Sequence, residues 1–174
     1  MTQRPQRKSP RLQGYDYAQA GAYFVTICTH ERAHLFGEVI DGVMILSRAG
    51  EIAEERWLAL PNHHEGIELD VFVVMPNHVH GIIVLTGIVG TGPALSGHHA
   101  ADNAGVVPTL GTVIGSYKSG VTRRIREMQK QPDLRVWQAR YHDHIIRNET
   151  DLNRIREYTI NNPARWQQDI FYGL

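Results

Sequence analysis

His78 and His80 flank a single valine in the run HVHGIIVLT. On a strand, residues two apart point to the same face, which puts their Cα atoms about 7 Å apart at a rise of roughly 3.3 Å per residue. Imidazoles aimed this way can share one divalent cation, and a strand keeps them rigid. A lone His-X-His is more often structural, so the pair needs company to count as a site. Tyr117 is the second candidate. It lies on an apolar stripe of Leu110, Val113, Ile114, Tyr117, Val121, Ile125 and Met128, where a tyrosine is ordinarily core, its hydroxyl reaching out to a partner. Its neighbours Gly111, Gly115, Ser116, Ser119 and Gly120 are small for a core helix, and each interior glycine costs about 1 kcal/mol against alanine. Lys118, Arg123, Arg124 and Arg126 follow and could hold phosphates. If the stripe packs on the sheet, Tyr117 faces the histidine-bearing surface, and a nucleophile, a metal and a phosphate clamp come together.

The surrounding elements would have to position these groups. AYFVTICT (22–29) reads as a strand, and GEVIDGVMIL as a hairpin whose Asp41-Gly42 pair supplies the positive φ angles of a tight turn. AGEIAEERWLAL places Ile52, Ala53, Arg56, Trp57 and Leu60 on one helical face before Pro61. IELDVFVVM and HVHGIIVLT are joined by Pro76-Asn77 alone, which predicts neighbouring antiparallel strands at the centre of a sheet. Residues 86–108 are rich in Gly, Ala, Ser, Pro and Thr and read as a flexible loop. A helix over 109–129 follows, then a strand over VWQARYHDHIIR and a last helix over TDLNRIREYTINNP, stopped by Pro163. The order β-β-α-β-β-α-β-α predicts an α+β fold, an antiparallel sheet with helices packed on it.

The chain has 174 residues, enough for a single domain over 1–174 with a core of its own. Cys28 is the one cysteine, which excludes a disulfide framework within the chain. No apolar run is long enough to span a bilayer, and the N-terminus lacks the apolar stretch of a secretory signal, so a cytoplasmic protein without a membrane partner is expected. Lysine and arginine together number 18 against 18 acids, yet the charge is segregated. Nine acids stand against three bases from Glu31 to Asp70, and eight bases against three acids from Thr109 to Arg147. The arm over 1–20 is basic, with Arg4, Arg7, Lys8 and Arg11 in its first eleven residues. A neutral chain polarised in this way can still turn a cationic face to nucleic acid, although solvated helix faces would leave the same pattern.

Four blocks carry a resemblance to a known family. PNHVHGIIV resembles the His-hydrophobic-His (HUH) strand of single-tyrosine transposases. SPRLQGYDY followed by GAYFVTICTHERAHLFGEV is similar to the amino-terminal block of their REP-associated branch, WQARYHDHIIRNETDLNRIREYTINNPARW is similar to its carboxy-terminal block, and the Tyr117 helix lies between. Together they cover nearly the whole chain except the 86–108 loop. The resemblance implies a ferredoxin-like sheet, Mg²⁺ or Mn²⁺ on His78 and His80, and Tyr117 as nucleophile. The reaction it implies cleaves and rejoins single-stranded DNA near hairpins through a 5′-phosphotyrosine. The partner would be single-stranded or hairpin DNA, bound by the N-terminal bases and by Lys118, Arg123, Arg124 and Arg126, and the protein would be a monomer or homodimer. In the smaller insertion-sequence branch a polar residue one turn after the tyrosine is the third metal ligand. Val121 stands there in this chain, which leaves His144 as a candidate, with a plain sheet-surface histidine as the alternative. Tyr141 and Tyr158 have no role in this reading. Two other functions compete with it: a hairpin-binding protein of the same fold that no longer moves DNA, and an unrelated His-X-His metalloenzyme.

Overall fold

The computed structural model describes residues 20–87 and 108–172. Strand β1 (Gly21–Cys28) leads to a hairpin of β2 (Gly37–Ile40) and β3 (Val43–Leu46), then to helices α1 (Arg48–Leu58) and α2 (Leu60–His63). Strands β4 (Ile67–Met75) and β5 (His78–Leu85) come next, followed by α3 (Leu110–Gln129), β6 (His142–Ile146) and α4 (Glu149–Asn161). A 3₁₀ turn over Pro163–Gln168 follows α4. The main sheet runs β4-β5-β1-β6 with every neighbouring pair antiparallel. The connections β1 to β4 and β5 to β6 each skip one strand and carry a helix, which is the ferredoxin-like arrangement. The β2–β3 hairpin forms a separate two-stranded sheet. Asp41 (φ 49°) and Gly42 (φ 76°) take the positive φ its turn requires.

Alternation along the strands sorts the side chains onto two faces. Tyr23, Val25, Ile27, Val79 and Ile83 point one way and pack with Ile52, Ala53 and Trp57 of α1 and with Leu110, Val113, Tyr117 and Val121 of α3. Phe24, Thr26, Cys28, His78 and His80 point the other way, toward α4 and the residues after it. There Cys28 and Met75 pack with Trp166 and Phe171 in a second, smaller cluster.

Helix α4 is tied across this second face by Arg156, whose Nε donates to Asp70 at 3.0 and 3.1 Å. Asp70 lies in the β-bulge between Leu69 and Phe72 of β4, where the extra residue re-aims the side chain. The strand expected over VWQARYHDHIIR is shorter than its pattern suggests. Lys118 Nζ donates to the carbonyls of Gln138 and Ala139, and Arg126 Nε to that of Leu134. These side chains hold the segment against α3, and only His142–Ile146 pairs as strand.

Trp57 reaches the sheet because residue 81 has no side chain. A Cβ on Gly81 would overlap the indole of Trp57 and lie 2.9 Å from Phe72 Cβ. Gly115 is the opposite case, with nothing within 4 Å of its would-be Cβ. Gly81→Ala should therefore lose about 1–3 kcal/mol by overpacking. Gly115→Ala should gain about 0.5–1 kcal/mol by helix propensity. Urea unfolding of the two variants checks both signs.

Candidate functional site

His78 and His80 lie side by side on β5, with ring centroids 4.3 Å apart, and both are buried, at 0 % and 1 % exposure. Each ring is oriented through Nδ1. Asn77 Nδ2 donates to the carbonyl of Phe171 at 2.9 Å, which turns Asn77 Oδ1 toward His78. His78 Nδ1 then donates to that oxygen at 2.8 Å, so Nε2 is the unprotonated nitrogen. That Nε2 is buried without a hydrogen-bond partner, an orphaned polar atom of the kind a cation would satisfy. His80 Nδ1 pairs with Thr26 Oγ1 at 2.8 Å across the β1–β5 ladder.

Both imidazoles are held neutral. Burial, helped by the positive charge of Arg32, pushes His78 down to about 3. Burial and the neighbouring His78 push His80 well below the usual histidine range, against the opposing pull of Asp169. Neutral imidazole is the form that ligates metal. Asp169, just after the turn that follows α4, completes the donor set. Its carboxylate and the two histidine nitrogens offer ligand atoms within 4.8 Å of one another. Backbone and side chain both steady it: Oδ1 accepts from Phe171 N at 2.7 Å and Oδ2 from Asn162 Nδ2 at 2.7 Å. Two neutral nitrogens and a carboxylate with a held geometry suit a divalent cation.

Tyr158 of α4 stands over this cluster. Its hydroxyl lies 3.2 Å from His80 Nε2 and donates to Asp169 Oδ2 at 3.2 Å, so one phenolic proton has two acceptors. Burial, then the charge of Asp169, hold the phenol above its ordinary range. The residue is nevertheless 38 % exposed and borders an open cleft of about 780 Å³ lined also by Phe24, Arg32, Arg154, Arg165 and His80. Arg32 has φ 54° and follows Glu31 at φ 52°; two successive left-handed residues are a strained means of aiming a side chain. Its guanidinium sits 4.9 Å over the ring of Phe171, whose centroid is 4.7 Å from that of His78.

Several expected residues lie elsewhere. Tyr117 does not face the histidines: it is buried on the opposite side of the sheet, edge-on to Trp57 at 5.2 Å, with its hydroxyl donating to the carbonyl of Ala53 at 3.1 Å. Burial alone raises its phenol above the ordinary range. The apolar stripe did pack on the sheet, but on the face where Val79 and Ile83 point. Lys118, Arg123, Arg124 and Arg126 travel with that helix and are no clamp for a phosphate at His78. His144 shares the histidine face, paired with Phe24 in the β1–β6 ladder, but its Nε2 is 2.7 Å from Asp151, and it is Asp169 that lies with the two histidines. Arg4, Arg7, Lys8 and Arg11 and most of the 86–108 loop lie outside the described residues. The sequence reading missed Asn77, Thr26, Asp169, Arg32 and Tyr158. For Asn77 the signal was present in the Pro-Asn lead-in, and for Tyr158 and Asp169 in or just beyond the carboxy-terminal block.

No protein-family model matches the chain. An uncharacterized protein of Haemophilus influenzae is 37 % identical over 169 residues, covering 95 % of this chain and 93 % of its own length. Among solved structures, a REP-associated tyrosine transposase bound to a REP hairpin matches 90 % of this chain and 74 % of that one with a TM-score of 0.59 and 18 % identity. That likeness is one of fold. Among the described residues, no helix is long and apolar enough to cross a membrane.

The donor set generates a direct test. A cation binding only the folded state at about a hundred times its Kd adds about 2.7 kcal/mol, several degrees in melting temperature. Mn²⁺ should raise the melting temperature of the wild-type protein by that order, and His78→Ala and Asp169→Asn should each lose the shift. A wild-type melting curve unmoved by Mn²⁺ would count against the centre.

Proposed function

We propose that this chain, which belongs to one family with the Haemophilus influenzae protein and has the fold of a REP-associated tyrosine transposase, is a metal-dependent strand-transferase. It cleaves and rejoins single-stranded DNA near hairpins, with Tyr158 rather than Tyr117 as nucleophile. The observation that carries this reading is the position of the Tyr158 hydroxyl, 3.2 Å from both His80 Nε2 and Asp169 Oδ2, at the floor of an open cleft.

His78, His80 and Asp169 would hold the ion, Mg²⁺ or Mn²⁺. When bound, a divalent cation there withdraws charge from a non-bridging oxygen of the scissile phosphate and eases ionisation of a nearby phenol. The protein's own groups do the remainder. Tyr158 Oη, oriented by its hydrogen bond to Asp169 Oδ2, releases its proton to water in the open cleft as it attacks phosphorus. The new bond is Oη–P, and the bond broken is P–O3′. One DNA end is left as a 5′-phosphotyrosine, and the departing 3′ oxygen takes a proton from water to become a free hydroxyl. No bond energy is lost to hydrolysis, so a second 3′-hydroxyl can reverse the exchange. Arg32, Arg154 and Arg165 border the cleft and supply positive charge for the phosphates on either side.

Labelled single-stranded hairpin DNA, protein and Mn²⁺, followed by denaturing electrophoresis, test the assignment. Tyr158→Phe should form no covalent adduct and melt close to wild type. Tyr117→Phe should keep the adduct and lose about 1 kcal/mol with its buried hydrogen bond. An adduct that survives Tyr158→Phe and vanishes with Tyr117→Phe would reverse the assignment. DNA binding without any adduct from the wild type would leave a binding protein of the same fold.

A further inference from the structure

The bases of α3, displaced from the histidine cleft, build a different feature. Together with the segment after the helix they line a groove of about 880 Å³ on the far side of the sheet, with Lys118, Arg123, Arg126, Lys130 and Arg135 on its walls and Glu127 as the one acid among its lining residues. The cations divide into two sets. Lys118 and Arg126 are turned inward, donating to the carbonyls of Gln138, Ala139 and Leu134, and so fix the far wall against the helix. Arg123, Lys130 and Arg135 are exposed, and no ion pair between described residues engages any of the three.

A second cavity of about 420 Å³ shares Ser119 and Arg123 with the groove and adds Arg56, His63 and Ser116. Arg56 reaches it because Gly120 leaves room: a Cβ there would lie 3.1 Å from Arg56 Nε, and that nitrogen is buried with no hydrogen-bond partner. Guanidinium groups and hydroxyls in succession along a trough, with little acid, are the chemistry of phosphate-backbone binding.

The chain itself leads from the groove to the cleft. The segment that forms its wall, through Gln138 and Ala139, runs on through exposed Arg140 into β6. There His142 and His144 line the histidine cleft. Strand β6 pairs only with β1 among the described strands, so its outer edge carries no strand partner.

We infer that the α3 groove is a second, non-catalytic binding surface for single-stranded DNA, taking the backbone of the strand whose scissile phosphate occupies the histidine cleft, with the strand passing around the β6 edge. This rests on the strand-transferase reading for its choice of ligand, but the groove can fail or stand separately. Arg123→Gln combined with Arg135→Gln probes it, since neither side chain is buried or hydrogen-bonded to the fold. Arg48→Glu, on α1, controls for net charge. Fluorescence anisotropy would compare a hairpin carrying a single-stranded extension with the same hairpin lacking it, over a salt series. The double variant should bind the extended hairpin at least tenfold more weakly, with a salt slope shallower by about 1.4, from roughly 0.7 per single-strand phosphate contact. Its affinity for the bare hairpin and its adduct yield on it should stay within a few-fold of wild type. Unchanged affinity for the extended hairpin in a variant that forms the adduct overturns the groove and leaves the nucleophile assignment intact. Weakened binding beside a wild type that forms no adduct supports the groove and overturns the cleavage reading.

Discussion

Asn77 is wholly buried in the tight connection between β4 and β5, and the organisation of the site hangs on its hydrogen bonds. Its carbonyl accepts from Thr29 N at 2.9 Å and Thr29 Oγ1 at 3.0 Å, which locks the end of β1 to the hairpin. Its amide donates to Phe171 and accepts from His78. One side chain thereby fixes the tautomer of the first histidine and anchors the C-terminal segment that delivers Asp169. A buried primary amide without these partners would cost several kcal/mol, so satisfying Asn77 and closing the donor set are the same event. Asn77→Leu would keep the volume but remove both.

The sheet separates two environments that a single layer could not provide. On one face, aromatic and aliphatic side chains of α1 and α3 form a dry core, with Trp57 laid over Gly81. On the other, the histidines are equally buried, but each of their ring nitrogens except Nε2 of His78 has a hydrogen-bond partner. Desolvation keeps both imidazoles neutral, as metal ligation demands, and rigid packing under Trp166 and Phe171 keeps them aimed.

The legible parts of the sequence were the local ones. A two-residue turn between apolar runs specified the β4–β5 hairpin, and period-two alternation put His78 and His80 on one face. The same alternation held the answer to Tyr117. If the histidines face one way, Val79, Gly81 and Ile83 face the other, and an apolar helix stripe belongs against the apolar side. Connection handedness points the same way: two right-handed crossovers that each skip a strand place α1 and α3 on one face, which leaves the histidine face to α4. The stripe reported that Tyr117 is buried but could not report beneath which face. Asp169 was harder to see, because its place depends on the chain reversing after Pro163, and no spacing in the sequence encodes how near that reversal comes to β5.

The choice of helix has a mechanical consequence. Helix α3 runs from Leu110 to Gln129 with six residues buried in the main core, so moving Tyr117 would mean opening that core. Helix α4 buries only Ile155 and Thr159, and one of its lateral ties is the partly exposed pair of Arg156 with Asp70, of a kind that solvent screens. In the strand transfer proposed above, the tyrosine carrying one DNA end would have to tolerate displacement from the metal ligands while its phosphodiester persists. Attachment to a lightly buried helix permits this and attachment to a core helix does not. The two helices thus differ in burial: the helix that stabilises the sheet is unsuited to move, and the helix beside the histidines is held by fewer buried side chains.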